Sequence, residues 1–249
     1  MRNLYLLLIL LFSFSIHGKS SDSLFQKGLD EIMNEEFKAA QYDFLKDAQK
    51  QASFSSYYNL GVASGSIEEW SKAKWAFESA LKYRPLNGDA QFNAKFATQK
   101  ISENSTWTHP YPWIERVILG FGSTTWTISV VISSLFLGLL IYNIISKTKT
   151  KSNVRKWCLR LIAPAILLFG ISFYGINSIN QHYNEERYGI MKSAEVPFYI
   201  SPNGVEIQNE VDPGSRLEII KYFKDSTWVQ IKSQNNNLLW IENKNLYTY

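Results

Sequence analysis

The side chains able to do covalent or acid–base chemistry are few in this chain and far apart. Its three histidines are His17, His109 and His182, and its one cysteine is Cys158. No histidine pair has the spacing that puts two metal ligands on one helix face. One cysteine permits neither an intramolecular disulfide nor a cysteine-based metal site. An activated thiolate needs a polar, partly exposed setting, whereas Cys158 stands at the edge of an apolar run. No Ser/His/Asp set, no Gly-rich phosphate loop after a strand and no paired carboxylates in a recognisable frame are present. The expectation is therefore a chain with no catalytic residue, no metal ligand and no cofactor. Its chemistry is recognition, and the elements that carry recognition have to be found.

The dominant element is a hairpin of two apolar runs. Val117 to Ile145 has no charged residue, and neither does Leu161 to Asn180. About 20 mostly apolar residues suffice to span a bilayer, so both runs qualify. Between them Lys147, Lys149, Lys151, Arg155, Lys156 and Arg160 stand without an acid. Excess Lys and Arg marks the cytoplasmic side, which places both flanking regions on the opposite side. The net charge of +4 is concentrated in this loop, and the segments 19–110 and 181–249 are slightly acidic. That distribution argues against a nucleic-acid footprint, which would be a basic face on a folded domain. Neither run carries an ionisable residue in its middle, which counts against transport. Trp107, Trp113 and Trp126 lie where the first span meets one interface, and Tyr142 and Trp157 near the other, as an aromatic belt does.

The first residues are written like a secretory signal: Arg2, an apolar core from Leu4 to Ile16, then small residues at Ser15 and Gly18 before a polar stretch. Cleavage is expected after Gly18, with Ser15 as a second position. An uncleaved signal anchor is the alternative. No cysteine comes after the apolar core, so lipoprotein anchoring is not expected. Export of the chain from about residue 19 onward agrees with the topology set by the basic loop.

Residues 22–104 have helical periodicity and an internal repeat. Gly28, Ala40 and Phe44 recur as Gly61, Ala73 and Phe77, 33 residues on. The second copy is fuller: Tyr57, Leu60, Gly61, Ala73, Phe77, Ala80 and Pro85. Small residues fall where paired helices approach closely, and Pro85 stops the second helix. This segment resembles the tetratricopeptide repeat, a helix–turn–helix unit of 34 residues. The first copy departs from it, with Lys27-Gly28 in place of Leu-Gly and no closing Pro. Ala90, Ala94, Ala97 and Ile101, joined by Phe92 and Phe96, form a further stripe, read as a capping helix over 88–103. Such stacks present a groove lined by the first helix of each pair, and Tyr58 and Asn59 fall near it. By the resemblance, Asn59 matches a position that often holds a bound peptide's backbone. The competing reading makes Tyr58 and Asn59 ordinary packing or solvated residues.

From Ala194 the pattern changes to β. Val196, Phe198 and Ile200 alternate, turns come at Ser201–Gly204 and Asp212–Gly214, and Trp228–Ile231 and Leu239–Ile241 read as strands around an Asn-rich turn. Five short strands in this length resemble a bacterial Src-homology-3-like barrel, with Leu239 where the family's closing strand has Gly. Such barrels bind extended peptides or cell-wall fragments, which makes Trp228 and Trp240 ligand-site candidates. The alternative is that both only flank a small core.

The expected organisation is a multidomain membrane protein. It runs as signal peptide 1–18, all-α repeats with cap 19–104, interfacial segment 105–122, transmembrane helix 123–145, cytoplasmic loop 146–156, transmembrane helix 157–180, linker 181–193 and all-β SH3-like barrel 194–249. This order resembles the BatE family encoded in the Bacteroides aerotolerance operon, on Tyr58-Asn59-Leu60-Gly61, Ala73, Phe77, Ala80, Pro85, Trp126, Trp228, Ile231, Trp240 and Ile241. The resemblance implies a non-catalytic scaffold in the bacterial inner membrane, with both soluble modules periplasmic, within an envelope complex linked to stress and aerotolerance. Its implied partners are other membrane or periplasmic proteins, including ones with von Willebrand factor A-type domains. The alternative function is a cell-wall-binding sensor or anchor that uses the SH3-like module.

Overall fold

Five helices in sequence build the first layer: α1 (Ser23–Met33), α2 (Phe37–Lys50), α3 (Phe54–Ser66), α4 (Trp70–Tyr83) and α5 (Gly88–Ile101). The computed structural model describes residues 23–145, 152–194, 196–207, 211–232 and 236–249. The expected signal peptide lies outside these residues, as do 146–151 of the basic loop.

The 33-residue repeat is visible at atomic level. A Cβ on Gly28 would lie 2.9 Å from the Phe44 ring, and one on Gly61 would lie 2.6 Å from the Phe77 ring. Each glycine thus lets a phenylalanine of the next helix press onto its backbone. Ala40 and Ala73, at equivalent positions, are fully buried. The turns repeat as well. Glu35 and Glu68 both adopt left-handed backbone, at φ 61° and 63°. Glu36 N–H donates to the Glu31 carbonyl (2.8 Å) and Glu35 N–H to that of Ile32 (3.0 Å). Glu69 and Glu68 bond to Ser64 (2.9 Å) and Gly65 (3.1 Å) in the same way. This paired bonding is the Schellman helix stop, made twice at the same offset. The sequence carries a cue that the glycine and phenylalanine spacing misses: Glu-Glu-aromatic at 35–37 recurs at 68–70. Side-chain caps open α3, where Ser53 accepts from Ser56 N–H (3.1 Å), and α5, where Asn87 accepts from Ala90 N–H (2.8 Å), as is usual for Ser and Asn at this position.

After a link over 102–112 come a short helix α6 (Trp113–Gly120), α7 (Gly122–Ile145, 24 residues) and α8 (Ser152–Asn184, 33 residues). Helices α7 and α8 are both long and apolar enough to cross a membrane. They pack as a hairpin: Leu140, Cys158 and Ala165 share a cluster, and the Ser129 and Ser172 hydroxyls meet at 2.6 Å. Their outer faces leave Ile132, Leu135, Leu139, Leu167 and Phe173 exposed. Helix α8 is longer than the apolar run it contains. It absorbs 152–156 of the expected loop and 181–184 of the expected linker, because no breaker ends it at either edge. Pro164 lies inside it, where a span tolerates proline.

The remaining chain forms one antiparallel sheet of β1 (Tyr188–Met191), β2 (Phe198–Tyr199), β3 (Glu206–Ile207), β4 (Arg216–Phe223), β5 (Trp228–Lys232), β6 (Leu238–Glu242) and β7 (Leu246–Thr248), in the order β3-β2-β6-β5-β4-β1-β7. A four-residue helix, α9 (Lys224–Thr227), joins β4 to β5. Seven strands are described where five were expected. Strand β1 falls within 181–193, the expected linker. It is too short to show an alternating pattern, and its partners, β4 and β7, are remote in sequence. One face of the sheet buries Phe198, Leu217, Val229, Ile231 and Ile241.

The sheet is not tethered loosely. Ile190 and Tyr249 belong to the same cluster as Ala40, Phe44, Leu60, Ala63, Trp75 and Ala76. The apolar core therefore runs without a break from the helical layer into β1 and the chain beyond β7. Trp75 stacks on Tyr247 (5.0 Å between centroids) and its Nε1 donates to the Thr248 carbonyl at 2.9 Å.

Candidate interaction surfaces and the junction between them

Tyr58 and Asn59 lie side by side on α3 but face different neighbours. Tyr58 stacks on Phe54 (5.5 Å), meets Phe77 edge-on (5.7 Å), and its hydroxyl accepts from the Asn93 amide of α5 at 3.1 Å. It is half-buried and holds α3, α4 and α5 together. The Asn59 amide donates to the Ser55 carbonyl one turn earlier at 3.0 Å. A peptide backbone would have to displace that local bond. The exposed aromatic groups of this layer are instead Tyr42 on α2 and Phe92 and Phe96 on α5, with Lys100 Nζ 5.5 Å above the Phe96 ring. The sequence pattern joins Phe92 and Phe96 to the packed alanine stripe of α5; the structure buries Ala90, Ala94 and Ala97 and leaves both rings exposed.

Trp228 and Trp240 share one face of the sheet, opposite its core. The register sets Trp240 across from Gln230, two residues beyond Trp228, and Tyr199 across from Trp240. Tyr199 meets Trp228 edge-on at 4.9 Å, Phe223 meets Trp240 at 5.8 Å, and Lys221 Nζ lies 5.6 Å over the Trp240 ring. These neighbours shield both indoles, which are only 9% and 7% exposed. Trp228 forms one wall of an open depression of about 460 Å³ with Asn203, Thr227, Glu242 and Lys244. A ligand there would meet an indole edge and a charged rim.

The most elaborate chemistry lies where sequence reasoning placed none. Glu78, on α4, is fully buried. Arg216 of β4 grips it with two bonds, Nε to Oε2 (2.7 Å) and Nη2 to Oε1 (2.6 Å), and also donates to the Thr108 carbonyl (2.8 Å). Trp107 Nε1 donates to Glu78 Oε1 at 2.9 Å, and the Tyr249 hydroxyl donates to Oε2. One carboxylate thus joins the helical layer, the 102–112 link, β4 and the strand end. Burial pushes the Glu78 carboxyl up, but the charge and hydrogen bonds of Arg216, with Lys74 and Tyr249, outweigh it and hold the carboxyl below the usual range. Burial likewise lowers the Arg216 guanidinium, and the Glu78 charge more than offsets this, so it is raised.

A second junction ties the end of α8 to the same layer. His182 Nε2 bonds the Lys82 carbonyl at 3.1 Å and its Nδ1 lies 3.5 Å from Glu115 of α6. Arg187 Nη1 donates to Glu115 at 2.6 Å, Tyr183 stacks on Tyr83 at 5.6 Å, and Lys82 Nζ donates to the Glu185 carbonyl at 2.9 Å. The His182 ring, followed by the Arg187 charge, holds the Glu115 carboxyl below its usual range against the opposing effect of burial.

Compared with known proteins, the chain matches no family model, no curated protein and no solved structure.

Proposed function

We propose that this chain is a non-catalytic scaffold of a bacterial inner membrane. The α7–α8 hairpin anchors it, with its basic loop cytoplasmic, and the helical layer and sheet stand together in the periplasm. In this reading the helical hairpins are tetratricopeptide-like and the sheet is an SH3-like module. Their partners are membrane or periplasmic proteins, including ones with von Willebrand factor A-type domains, in an envelope complex serving stress or oxygen tolerance. The observation that carries the reading is the continuous core and the Glu78 junction, which fix two recognition modules in one orientation above the hairpin. A catalyst needs reacting groups in a cleft; a scaffold needs fixed relative placement of surfaces. The fixed turns at Glu35 and Glu68 favour a repeat stack, and the exposed Phe92 and Phe96 offer aromatic anchors of the kind that interface hot spots use.

Affinity purification of the full chain from native membranes in mild detergent, with and without F92S/F96S, tests this. Membrane proteins should co-purify with the parent and fall away from the variant. A chain that runs alone in both forms, or keeps the same companions, defeats the reading. A periplasm-only reporter should be silent when fused at Ser152 and active after Tyr249. A second reading, a cell-wall sensor or anchor, draws on the aromatic face of Tyr199, Trp228 and Trp240. It requires the protein to sediment with purified cell wall.

A further inference from the structure

A cleft of about 360 Å³ opens beside the Glu78 junction, between α4, the 105–108 link and the turn that precedes β4. Its lining is polar: Lys74 and Arg216 supply cations, Ser105, Thr106 and Ser215 supply hydroxyls, and Trp107 supplies a flat apolar wall. Small-ligand sites form in clefts where separate elements meet, with a few placed polar groups fixing the ligand's orientation.

Lys74 is the telling residue. It is only 7% exposed, yet among the described residues its ammonium makes one hydrogen bond, to the Gly214 carbonyl at 2.7 Å, and no ion pair. Glu78, one turn further along α4, has both oxygens engaged by Arg216, Trp107 and Tyr249. The positive charge of Arg216 is met by that carboxylate through two direct bonds; Lys74 feels the same carboxylate only across a distance. Burying an ammonium without a directly bonded counter-charge is costly, and this one has N–H groups to spare. Asp212 at the mouth is exposed, so its repulsion is screened by water in a way that the buried attraction is not. Burial also lowers the Lys74 ammonium's proton affinity, which an arriving anion would restore.

We propose that this cleft binds a small ligand through an oxyanion, a carboxylate or a phosphate, received by the Lys74 ammonium, with the hydroxyl rim bonding the rest of the ligand. The assignment does not depend on the scaffold reading, since it rests on the cleft alone.

Calorimetric titration of the full-length protein in detergent tests it with three probes: N-acetyl-alanyl-alanine, the same dipeptide as its C-terminal amide, and inorganic phosphate. One of the two anions should bind with one site per chain, and which one does so identifies the ligand class. The amide should not bind. Lys74→Met should weaken binding by about tenfold or more, as loss of a buried charged hydrogen bond does. Thr106→Trp, at the exposed mouth and with no side-chain bond to Glu78, should block entry while leaving the melting temperature unchanged. Absence of binding by both anions, binding of the amide as tight as the acid, or titration unchanged in Thr106→Trp would each overturn the proposal.

Discussion

Glu78 shows how one side chain can hold several segments in register. It is a buried carboxylate with four donors, from Arg216 twice, Trp107 and Tyr249. Removing one partner of a buried pair typically costs about 3–5 kcal/mol, because the other charge is left uncompensated. Glu78→Ala should therefore lower stability by about that amount, read as a drop in thermal midpoint in detergent. It should also expose the 102–112 link to protease while leaving α7 and α8 protected. A variant as stable as the parent would remove Glu78 from its assigned place. Acid should act through the same group. The folded carboxyl titrates below its unfolded value, so its contribution is complete above the ordinary carboxylate range of about 4.3. It is lost as the pH falls from there through the lower folded value. The fluorescence of Trp75 and Trp107 should be flat from neutrality down to that range and change below it; a transition near neutrality would assign the coupling elsewhere. None of this was legible in sequence. Glu78 and Arg216 are 138 residues apart, on elements with different periodicities, and no local pattern marks either as special.

At the level of elements, what could be read was what repeats or what is long. The glycine–phenylalanine contacts of α1–α2 and α3–α4 follow from their 33-residue spacing, because a close helix approach needs the same small residue each time. Gly61→Ala should cost about 1–3 kcal/mol by overpacking, since its Cβ would fall 2.6 Å from Phe77. Gly88→Ala, where a Cβ meets nothing within 4 Å, should be neutral or slightly stabilising. Equal melting shifts for the two would mean that the Gly61 contact is not tight. The Asn and Gly turns of the sheet were legible because Asn203, Asn236 and Gly214 adopt positive φ, a conformation these residues favour. Strand β1 was not, since its identity depends on partners supplied from elsewhere. The candidates Tyr58, Asn59, Trp228 and Trp240 were found by residue type and position in the pattern. Side-chain packing could not be found that way, and it leaves Tyr58 and the two tryptophans largely enclosed.

For the whole molecule, the hairpin was legible and its coupling to the soluble layers was not. Apolar runs announce themselves by composition, whereas the bonds of His182, Tyr183 and Arg187 link α8 to α4 and α6 through residues that look like an ordinary polar linker. Helix α8 continues to Asn184, and β1 begins after three intervening residues. At 1.5 Å per residue its 33 residues measure about 50 Å, well beyond the roughly 30 Å of a hydrocarbon core. The helix therefore works as a ruler. The height and the compass bearing of the sheet are both set by counting residues, since each added residue lifts it by about 1.5 Å and turns it by about 100°. Adding two alanines after Asn180 should rotate the sheet away from α4, break the Glu78 junction and lower the thermal midpoint. Adding seven, close to two whole turns, should restore the bearing and leave only the height wrong. If both insertions behave alike, the upper part of α8 is a tether and carries no angular information.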